Sequence, residues 1–350
     1  MVRRRQAVTI KHVAADAGVS LQTVSRVINQ EPNVRASMRE RVQASIDKLG
    51  YVPSIAAQRM SGSRSYLILA LNDRERTIAD WRAREGTDWV DQMLMGGMLE
   101  CAKHGYRLIF ELVDTHSDHV ERELQGCIAA LQPDGVILTP PHSDNPLITD
   151  LLRRQNIPFA QIGSTGEAGG ISLIMGDEGA ARTATRHLLD LGHQRIGFIK
   201  GAAEYKLSDW REAGWKAEMA DAGLGFDGLC AAGDFSYRSG VDAAQKLLAL
   251  RPRPTAIIAS SDHMALATVD VARKMGMQVP RDLSVVSFDN TPMTMLTRPA
   301  LTAIDQPVAA TTALAVERIV AAKRGDALPE GPTIVPAGLI VRESTAPPAK

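Results

Sequence analysis

The sequence has few cysteines and no long hydrophobic run, and each shortage excludes a class of protein. Its cysteines, Cys101, Cys127 and Cys230, are odd in number, widely spaced and without a C-x-x-C pair, which argues against a disulfide framework or a thiolate metal site. No apolar stretch approaches the roughly 18 residues that a membrane-spanning helix needs, and the basic N-terminus lacks the apolar run of a signal peptide. We therefore expect a cytoplasmic, globular protein without a membrane partner.

Motifs for catalysis are also missing. The spacing Gly223-x-Gly225-x-x-Gly228 matches a dinucleotide-binding fingerprint, but it follows a predicted helix and precedes a predicted strand, the reverse of the order that pyrophosphate binding requires. We interpret it as a helix end and a loop. Metal-ligand side chains cluster at a strand-to-helix junction, where helix capping is the favoured interpretation; they are Asp114, His116, Asp118, His119 and Glu121. We expect no enzyme, no cofactor and no metal.

The formal net charge of zero conceals an uneven distribution. Residues 1–64 carry 11 lysines and arginines against 4 aspartates and glutamates, whereas residues 65–350 carry 29 against 36. A basic head on an acidic body is typical of a polyanion-binding module attached to another domain, because only the module has to displace counterions from phosphates. The charge alone would also fit an ordinary solvated end, so the sequence pattern has to decide.

Residues 1–53 have the pattern of a helix-turn-helix domain. Thr9 is the predicted N-cap of a first helix that ends at Gly18, and Ser20 is the predicted N-cap of a second helix over residues 21–29. A third helix is predicted over residues 37–49, and all three carry apolar residues at helical spacing. Two short helices joined by a tight turn that contains glycine define the motif.

The outward face of the second helix suits base contacts. Val24, Val27 and Ile28 form its buried stripe. The opposite face carries Leu21, Gln22, Ser25, Arg26 and Asn29. Glutamine and arginine can bond base edges and an exposed leucine can contact a thymine methyl, whereas a merely solvated face would be rich in glutamate and lysine.

Two segments of the head resemble those of a known protein family. The stretches VTIKHVAADAGVSLQTVSRVIN (residues 8–29) and RERVQASIDKLGYVP (residues 39–53) resemble the DNA-binding head of the LacI/GalR family of transcriptional regulators. The resemblance implies that Leu21, Gln22 and Arg26 read bases in the major groove of double-stranded operator DNA. The residues that it places mainly beside the DNA backbone are Ser20, Thr23 and Asn29, and Thr9 is a further DNA-binding candidate.

Residues 54–64 form a small, polar linker that is too short to be a stable helix alone in water. In the family, the corresponding hinge enters the minor groove beside its partner's hinge and wedges an apolar side chain into a base step. The resemblance assigns the wedge to Met60, where leucine is usual, and a neighbouring DNA contact to Ala57. An ordinary interdomain linker is the alternative.

Residues 65–345 alternate between short β-branched or leucine-rich runs and amphipathic runs, a pattern that predicts a doubly wound α/β fold with ligands at the carboxyl ends of parallel strands. The predicted strands are 67–71, 107–112, 135–138, 159–162, 195–199, 256–259 and 283–288, and helices are predicted at 177–191, 262–275 and 308–322. The pattern resembles the family's two-lobed periplasmic-binding-protein-like sensor. We expect lobe 1 over about 65–163 and 306–331, and lobe 2 over about 164–305 and 332–345.

Several segments of the body resemble family counterparts, among them 188–199, 210–215, 260–267, 286–290 and 301–306. By that resemblance, Arg211, Phe235, Ser261 and Asp289 line the effector cleft. Their chemistry suits a sugar or sugar derivative, because arginine donates a fork of hydrogen bonds, aspartate accepts from two hydroxyls and an aromatic face packs on C–H groups. For any one of them, an ordinary surface or capping role is the alternative.

One segment departs from the family pattern. Residues 72–89 insert a charged, tryptophan-bearing loop after the first strand, where the family turns quickly into the next helix. Because the carboxyl end of that strand should face the cleft, Trp81 or Trp89 is a candidate to cap the effector. Surface loop lengthening without function is the alternative.

Together, these expectations predict a transcriptional repressor whose operator affinity is controlled by a small-molecule effector. The alternative from another class is a solute-binding protein of transport, and an enzyme on the same architecture ranks third. A single head reads only a half-site, so we expect a homodimer. The C-terminal residues 345–350 contain no leucine heptads for a tetramerising coil.

Overall fold

The computed structural model describes residues 8–28, 33–51, 64–117, 119–166 and 169–349. It divides the chain into two units, residues 1–65 and residues 66–350. Asn29, Ala57 and Met60 lie outside the described residues, so their assignment to the DNA interface stays a prediction. The role of the hinge in DNA binding likewise stays a prediction.

The first unit contains the predicted helix-turn-helix. Its helices are α1 (Ile10–Ala17), α2 (Leu21–Ile28) and α3 (Ala36–Leu49). Gly18 ends α1 with φ 61°, a left-handed conformation that glycine adopts without strain. The Oγ atom of Ser20 accepts a hydrogen bond from the backbone N–H of Thr23 at 3.1 Å and so caps α2. The core of this unit comprises Val13, Ala14, Ala17, Val24, Val27, Val42 and Tyr51.

A polar contact ties α1 to α3. The carboxylate of Asp16 accepts hydrogen bonds from Ser45 Oγ at 2.7 Å and from Lys48 Nζ at 2.6 Å. The bond from Lys48 lowers the pKa of Asp16, with a further contribution from Ser45. The contact therefore contributes fully above the unfolded pKa of this carboxyl and is lost as the pH falls through its lowered folded value.

The second unit contains two six-stranded sheets in its described part, which confirms the predicted two-sheet α/β fold. The strands are β1 (Leu67–Asp73), β2 (Arg107–Val113), β3 (Gly135–Leu138), β4 (Phe159–Ile162), β5 (Ile171–Ile174), β6 (Ile196–Lys200), β7 (Cys230–Ala232), β8 (Ala256–Ala259), β9 (Ser284–Asp289), β10 (Thr302–Asp305), β11 (Thr333–Ile334) and β12 (Gly338–Ile340). The first sheet has the order β11-β5-β4-β3-β1-β2 and the second β12-β10-β9-β8-β6-β7. The β10–β12 pair is antiparallel, whereas the central strands pair in parallel.

Helices cover the sheets because the central strands are buried along their whole length and need apolar partners on both faces. The helices of this unit are α4 (Arg74–Ala83), α5 (Thr87–Lys103), α6 (Val120–Leu131), α7 (Pro146–Arg154), α8 (Asp177–Asp190), α9 (Lys206–Asp221), α10 (Tyr237–Ala249), α11 (Asp262–Lys274), α12 (Met293–Leu296) and α13 (Val308–Arg324), with a short 3-10 turn at His142–Asp144. The glycines at 223, 225 and 228 lie between α9 and β7, as predicted.

Two predictions about this unit are wrong. Residues 72–89 are not a loop, because α4 begins directly after β1 and α5 follows it. The carboxylate of Asp73 caps α4 by accepting a hydrogen bond from the backbone N–H of Arg76 at 2.9 Å. The change from the first sheet to the second comes after Ile174 rather than near residue 163, because β5 pairs with β4. Residues 333–334 also belong to the first sheet, since β11 pairs with β5.

The close packing of α5 on α13 gives a test of the first sheet's helical layer. A Cβ atom at Gly96 would overlap the backbone carbonyl of Ala309. We expect Gly96→Ala to lower the free energy of unfolding by about 1 to 3 kcal/mol, because two backbones would have to separate. Gly126→Ala in α6 is the matched control, since a Cβ there meets no heavy atom within 4 Å. Urea denaturation should show the control to be slightly stabilised; equal stability of both variants would contradict this packing.

Candidate functional site

A cavity of about 300 Å³ lies where the carboxyl ends of strands from both sheets face each other. Asp73 ends β1, Asp289 ends β9 and Asp305 ends β10, and all three line the cavity. In each sheet the chain reverses its direction of strand addition beside the first strand, β1 or β6. Crevices at such switch points are the usual ligand sites of doubly wound sheets.

The structure brings together most of the residues predicted for this cleft. Its lining includes Arg211, Phe235, Ser261, Asp289 and Trp89. Trp81 does not line the cavity: its side chain is 46% exposed, and its ring centroid lies 6.0 Å from that of Phe110 on β2. Of the two tryptophans proposed to cap an effector, only Trp89 is therefore placed to do so.

Arg211 is a buried residue held by two hydrogen bonds. Its Nε donates to Asp177 Oδ1 at 2.8 Å, its Nη1 donates to the Ser260 carbonyl at 2.8 Å, and its Cζ lies 4.4 Å from the ring centroid of Phe288. The close approach of α9 to α8 makes this pair possible, because Gly214 packs against the Glu178 backbone. The guanidinium is thus fixed in position before any ligand binds.

Asp289 is held in a strained backbone conformation at the cleft wall. Its φ of 99° lies in the left-handed region, where a residue with a Cβ atom is rare, and such strain concentrates at functional sites. Burial raises the pKa of its carboxyl, against the opposing effect of the Arg211 charge. Burial likewise raises the pKa of Asp262 to about 7, with repulsion from Asp289 as the second cause.

The aromatic part of the cleft is positioned by a hydroxyl. Ser261 Oγ donates to the Phe235 carbonyl at 2.8 Å and accepts from the backbone N–H of Met264 at 3.2 Å, which caps α11. The ring of Tyr205 meets that of Phe235 edge-on, with centroids 5.7 Å apart. Ser261 therefore positions Phe235 through its hydrogen bonds, while the two rings supply apolar surface to the cavity.

Helix α4 and the residues after it bridge the two sides of the cleft. Arg76 Nη2 donates to the Asp234 carbonyl at 2.8 Å, and the backbone N–H of Tyr237 donates to Glu85 Oε2 at 3.3 Å. Sequence reasoning missed Arg76 and Tyr205 as cleft residues. Asp73 and Asp305 could have been found, because each stands at the carboxyl end of a strand.

The head presents the predicted base-reading residues on its surface. Leu21 is 44% exposed, Gln22 and Arg26 are exposed as well, and Val24 on the opposite side of α2 is fully buried. Ser20 Oγ and Thr23 Oγ1 lie 2.9 Å apart at the start of α2. The backbone N–H of Thr9 donates to His12 Nδ1 at 3.0 Å at the start of α1.

In the described part of the chain, no group of three or more histidine, cysteine, aspartate or glutamate side chains is arranged to hold a metal ion. Among the same residues, no helix has the length and apolarity to cross a membrane. Near the rejected metal cluster, His116 Nε2 lies 3.3 Å from a carboxylate oxygen of Glu204.

Comparison with known proteins gives matches to both units. Residues 9–54 match the family described as bacterial regulatory proteins, lacI family, and residues 185–345 match the periplasmic binding protein-like domain. Catabolite control protein A of Priestia megaterium is 31% identical over 306 residues, which are 86% of this chain and 88% of that protein.

Two solved structures are similar over nearly the whole chain. The complex of the transcriptional regulator CelR with cellobiose has a TM-score of 0.71 at 29% identity and covers 96% of this chain and 99% of its own. The lac repressor dimer bound to operator and the anti-inducer ONPF has a TM-score of 0.76 at 27% identity and covers 97% of this chain and 100% of its own.

Proposed function

Since the chain belongs to the LacI family of bacterial regulatory proteins, we propose that it is a transcriptional repressor controlled by a small-molecule effector. The head, residues 1–53, binds double-stranded operator DNA, and a sugar or sugar derivative bound in the cleft changes the affinity for that DNA. The observation that carries the proposal is that one chain has both an exposed surface of Leu21, Gln22 and Arg26 and a preformed cleft lined by charged and aromatic side chains. The proposal places the protein in the cytoplasm, with the DNA.

The DNA-binding part of the proposal is supported by charge and by the chemistry of α2. Residues 1–64 carry 11 lysines and arginines against 4 acidic residues, which favours contact with phosphates. Gln22 and Arg26 can make bidentate contacts with base edges in a major groove. The similar lac repressor was solved on its operator, in line with this use of the head.

The effector part is supported by the cleft itself. Arg211 and Asp289 line one cavity with the face of Phe235, and this combination of a donor fork, an acceptor and an apolar surface fits a polyol. The similar regulator CelR was solved with cellobiose.

A homodimer follows from half-site recognition, and α5 offers a surface for it. Met95, Met98 and Leu99 are 46%, 57% and 63% exposed. Their spacing places them together on one side of the helix. An exposed apolar stripe of this kind marks an interaction surface, and the similar lac repressor was solved as a dimer.

The proposal is tested by measuring binding of the full chain to duplex DNA enriched from a random pool. We expect specific binding whose affinity falls steeply with salt, by about a thousandfold or more between 50 and 200 mM for six or more phosphate contacts. A chain that begins at residue 66 should not bind. Salt-independent binding, or equal binding by the shortened chain, would show that the head is not a DNA-binding domain.

A further inference from the structure

The cleft has an excess of negative charge. Its lining includes six carboxylates, Asp73, Asp80, Glu85, Asp88, Asp289 and Asp305. The arginines in the same lining are Arg76 and Arg211. Three of the six, Asp80, Glu85 and Asp88, lie in residues 74–89, within the segment that departs from the family's sequence pattern. We call residues 74–89 the α4–α5 segment.

Both arginines already have partners. Arg76 Nε pairs with Asp80 at 3.1 Å while its Nη2 binds the Asp234 carbonyl. Arg211 pairs with Asp177, which is buried and is not part of the lining, and also binds the Ser260 carbonyl. A phosphate group is recognised by arginine forks that are free to bind it in a bidentate manner. Each arginine charge is already paired with a carboxylate, so a phosphorylated ligand would bring its own negative charge to a lining that has six carboxylates and two arginines.

Of the six carboxylates, only Asp80 has an ion pair within the described residues. Asp73 is used as a helix cap, Glu85 accepts from a backbone N–H and Asp305 accepts from Asn290 Nδ2 at 3.0 Å. Asp88 and Asp289 line the cavity with no ion pair in the part of the chain that is described. A cationic group would compensate the charge of Asp88, and it would also favour the ionised form of Asp289, whose pKa is raised by burial.

The remaining walls are suited to the same ligand. Trp89, Tyr205 and Phe235 bring aromatic rings to the cavity. An aromatic face attracts a cation through its quadrupole and also packs on the C–H face of a sugar ring. The volume of about 300 Å³ lies at the small end of ligand pockets, which favours a single-ring molecule.

Resting on the proposed function, we infer that the effector is a monosaccharide-sized sugar bearing a protonated amine. Glu85, Asp88 and Asp289 select it over neutral and phosphorylated sugars. An ammonium group donates three hydrogen bonds and accepts none, so it matches walls made of carboxylates better than a hydroxyl does. The α4–α5 segment then acts as a specificity element of the cleft.

The test is calorimetric titration of the full chain with four matched series. Glucosamine, galactosamine and mannosamine are compared with their N-acetyl, parent-hydroxyl and 6-phosphate counterparts, at a pH below the pKa of the amine. We expect at least one amine to bind about tenfold or more tightly than its own N-acetyl and hydroxyl forms, which corresponds to about 1.4 kcal/mol. No phosphate form should bind more tightly than its amine.

Charge-removing variants test whether the preference for an amine comes from the α4–α5 segment. Glu85→Gln with Asp88→Asn should reduce the affinity for the amine about tenfold and leave the N-acetyl form within about twofold, because shape is kept and only charge is lost. Glu75→Gln on the exposed side of α4 is the matched control and should change neither affinity.

Four outcomes would overturn the inference. In the titrations, they are that no amine binds, that each amine binds no more tightly than its N-acetyl form, or that a phosphate form binds more tightly than its amine. In the variants, it is an amine preference that survives the double substitution. DNA binding measured on the same protein separates the two proposals. A chain that binds DNA but prefers neutral or phosphorylated sugars remains a repressor with another effector, whereas a chain that does not bind DNA contradicts the proposed function.

Discussion

Replacing Arg211 by alanine should lower the free energy of unfolding by about 3 to 5 kcal/mol. The side chains of Arg211 and Asp177 are 2% and 1% exposed, and their N–O distance is 2.8 Å. Removing the guanidinium leaves a buried carboxylate without its charge partner, and Asp177 Oδ2 already has no hydrogen-bond partner among the described residues. Urea denaturation of the full chain, followed by tryptophan fluorescence, measures the loss.

A double variant separates charge from packing. Arg211→Met with Asp177→Asn removes both charges and keeps most of the side-chain volume, so it should recover most of the lost stability. A single variant that loses less than about 1 kcal/mol would mean that the pair is not buried as described. The measured stability of Arg211→Ala is also needed to interpret its effector affinity. A destabilised lobe would bind the effector less tightly even if Arg211 did not contact the effector.

The second large effect is expected at the head. Gln22→Ala or Arg26→Ala should each weaken binding to the selected DNA site by about 1 to 3 kcal/mol and relax the base preference at the position that is read. Both side chains are exposed on α2. Affinities for the selected site and for random duplex are measured at one salt concentration, and the random duplex should be affected much less by either change.

Gln43→Ala provides the control for that measurement. Gln43 is exposed on α3, where its Nε2 donates to Asp47 at 2.9 Å, so the change removes the same side chain away from the base-reading surface. It should leave both affinities nearly unchanged. Equal losses on selected and random DNA for Gln22→Ala and Arg26→Ala would instead assign these residues to phosphate contacts or to the folding of the head.

The longer elements could be predicted from the sequence because their periodicity extends over many residues. Strands β3, β4 and β8 begin and end where predicted, and α8, α11 and α13 differ by at most two residues at their ends. Strands β7, β11 and β12 have only two or three residues, too few to show a period. Helix α4 was missed because its sequence, RERTIADWRA, is highly charged and has no clear apolar stripe, so its helicity depends on the Asp73 cap.

The cleft residues also fall into a group that could be predicted from the sequence and a group that could not. Arg211, Ser261 and Asp289 could be predicted because each lies in a short segment that resembles its family counterpart, and Phe235 was predicted from the same resemblance although it lies outside those segments. Arg76, Tyr205 and Asp88 could not be found this way, because their place in the cavity depends on how α4 packs across to the opposite side. The break between the lobes was misplaced because Ile171–Ile174 is a short strand after a glycine-rich loop, and its membership of the first sheet depends on pairing with β4.

The proposed function couples two sites, because a ligand in the cleft controls DNA binding by the head. The most direct test measures the affinity of the full chain for its selected DNA site across a titration of the effector, and the effector affinity with and without that DNA. We expect each ligand to change the affinity for the other by the same factor, and we expect Asp289→Asn to move the response to about tenfold higher effector concentration without abolishing it. DNA affinity that stays constant while the cleft fills with effector would show that the cleft does not control the head.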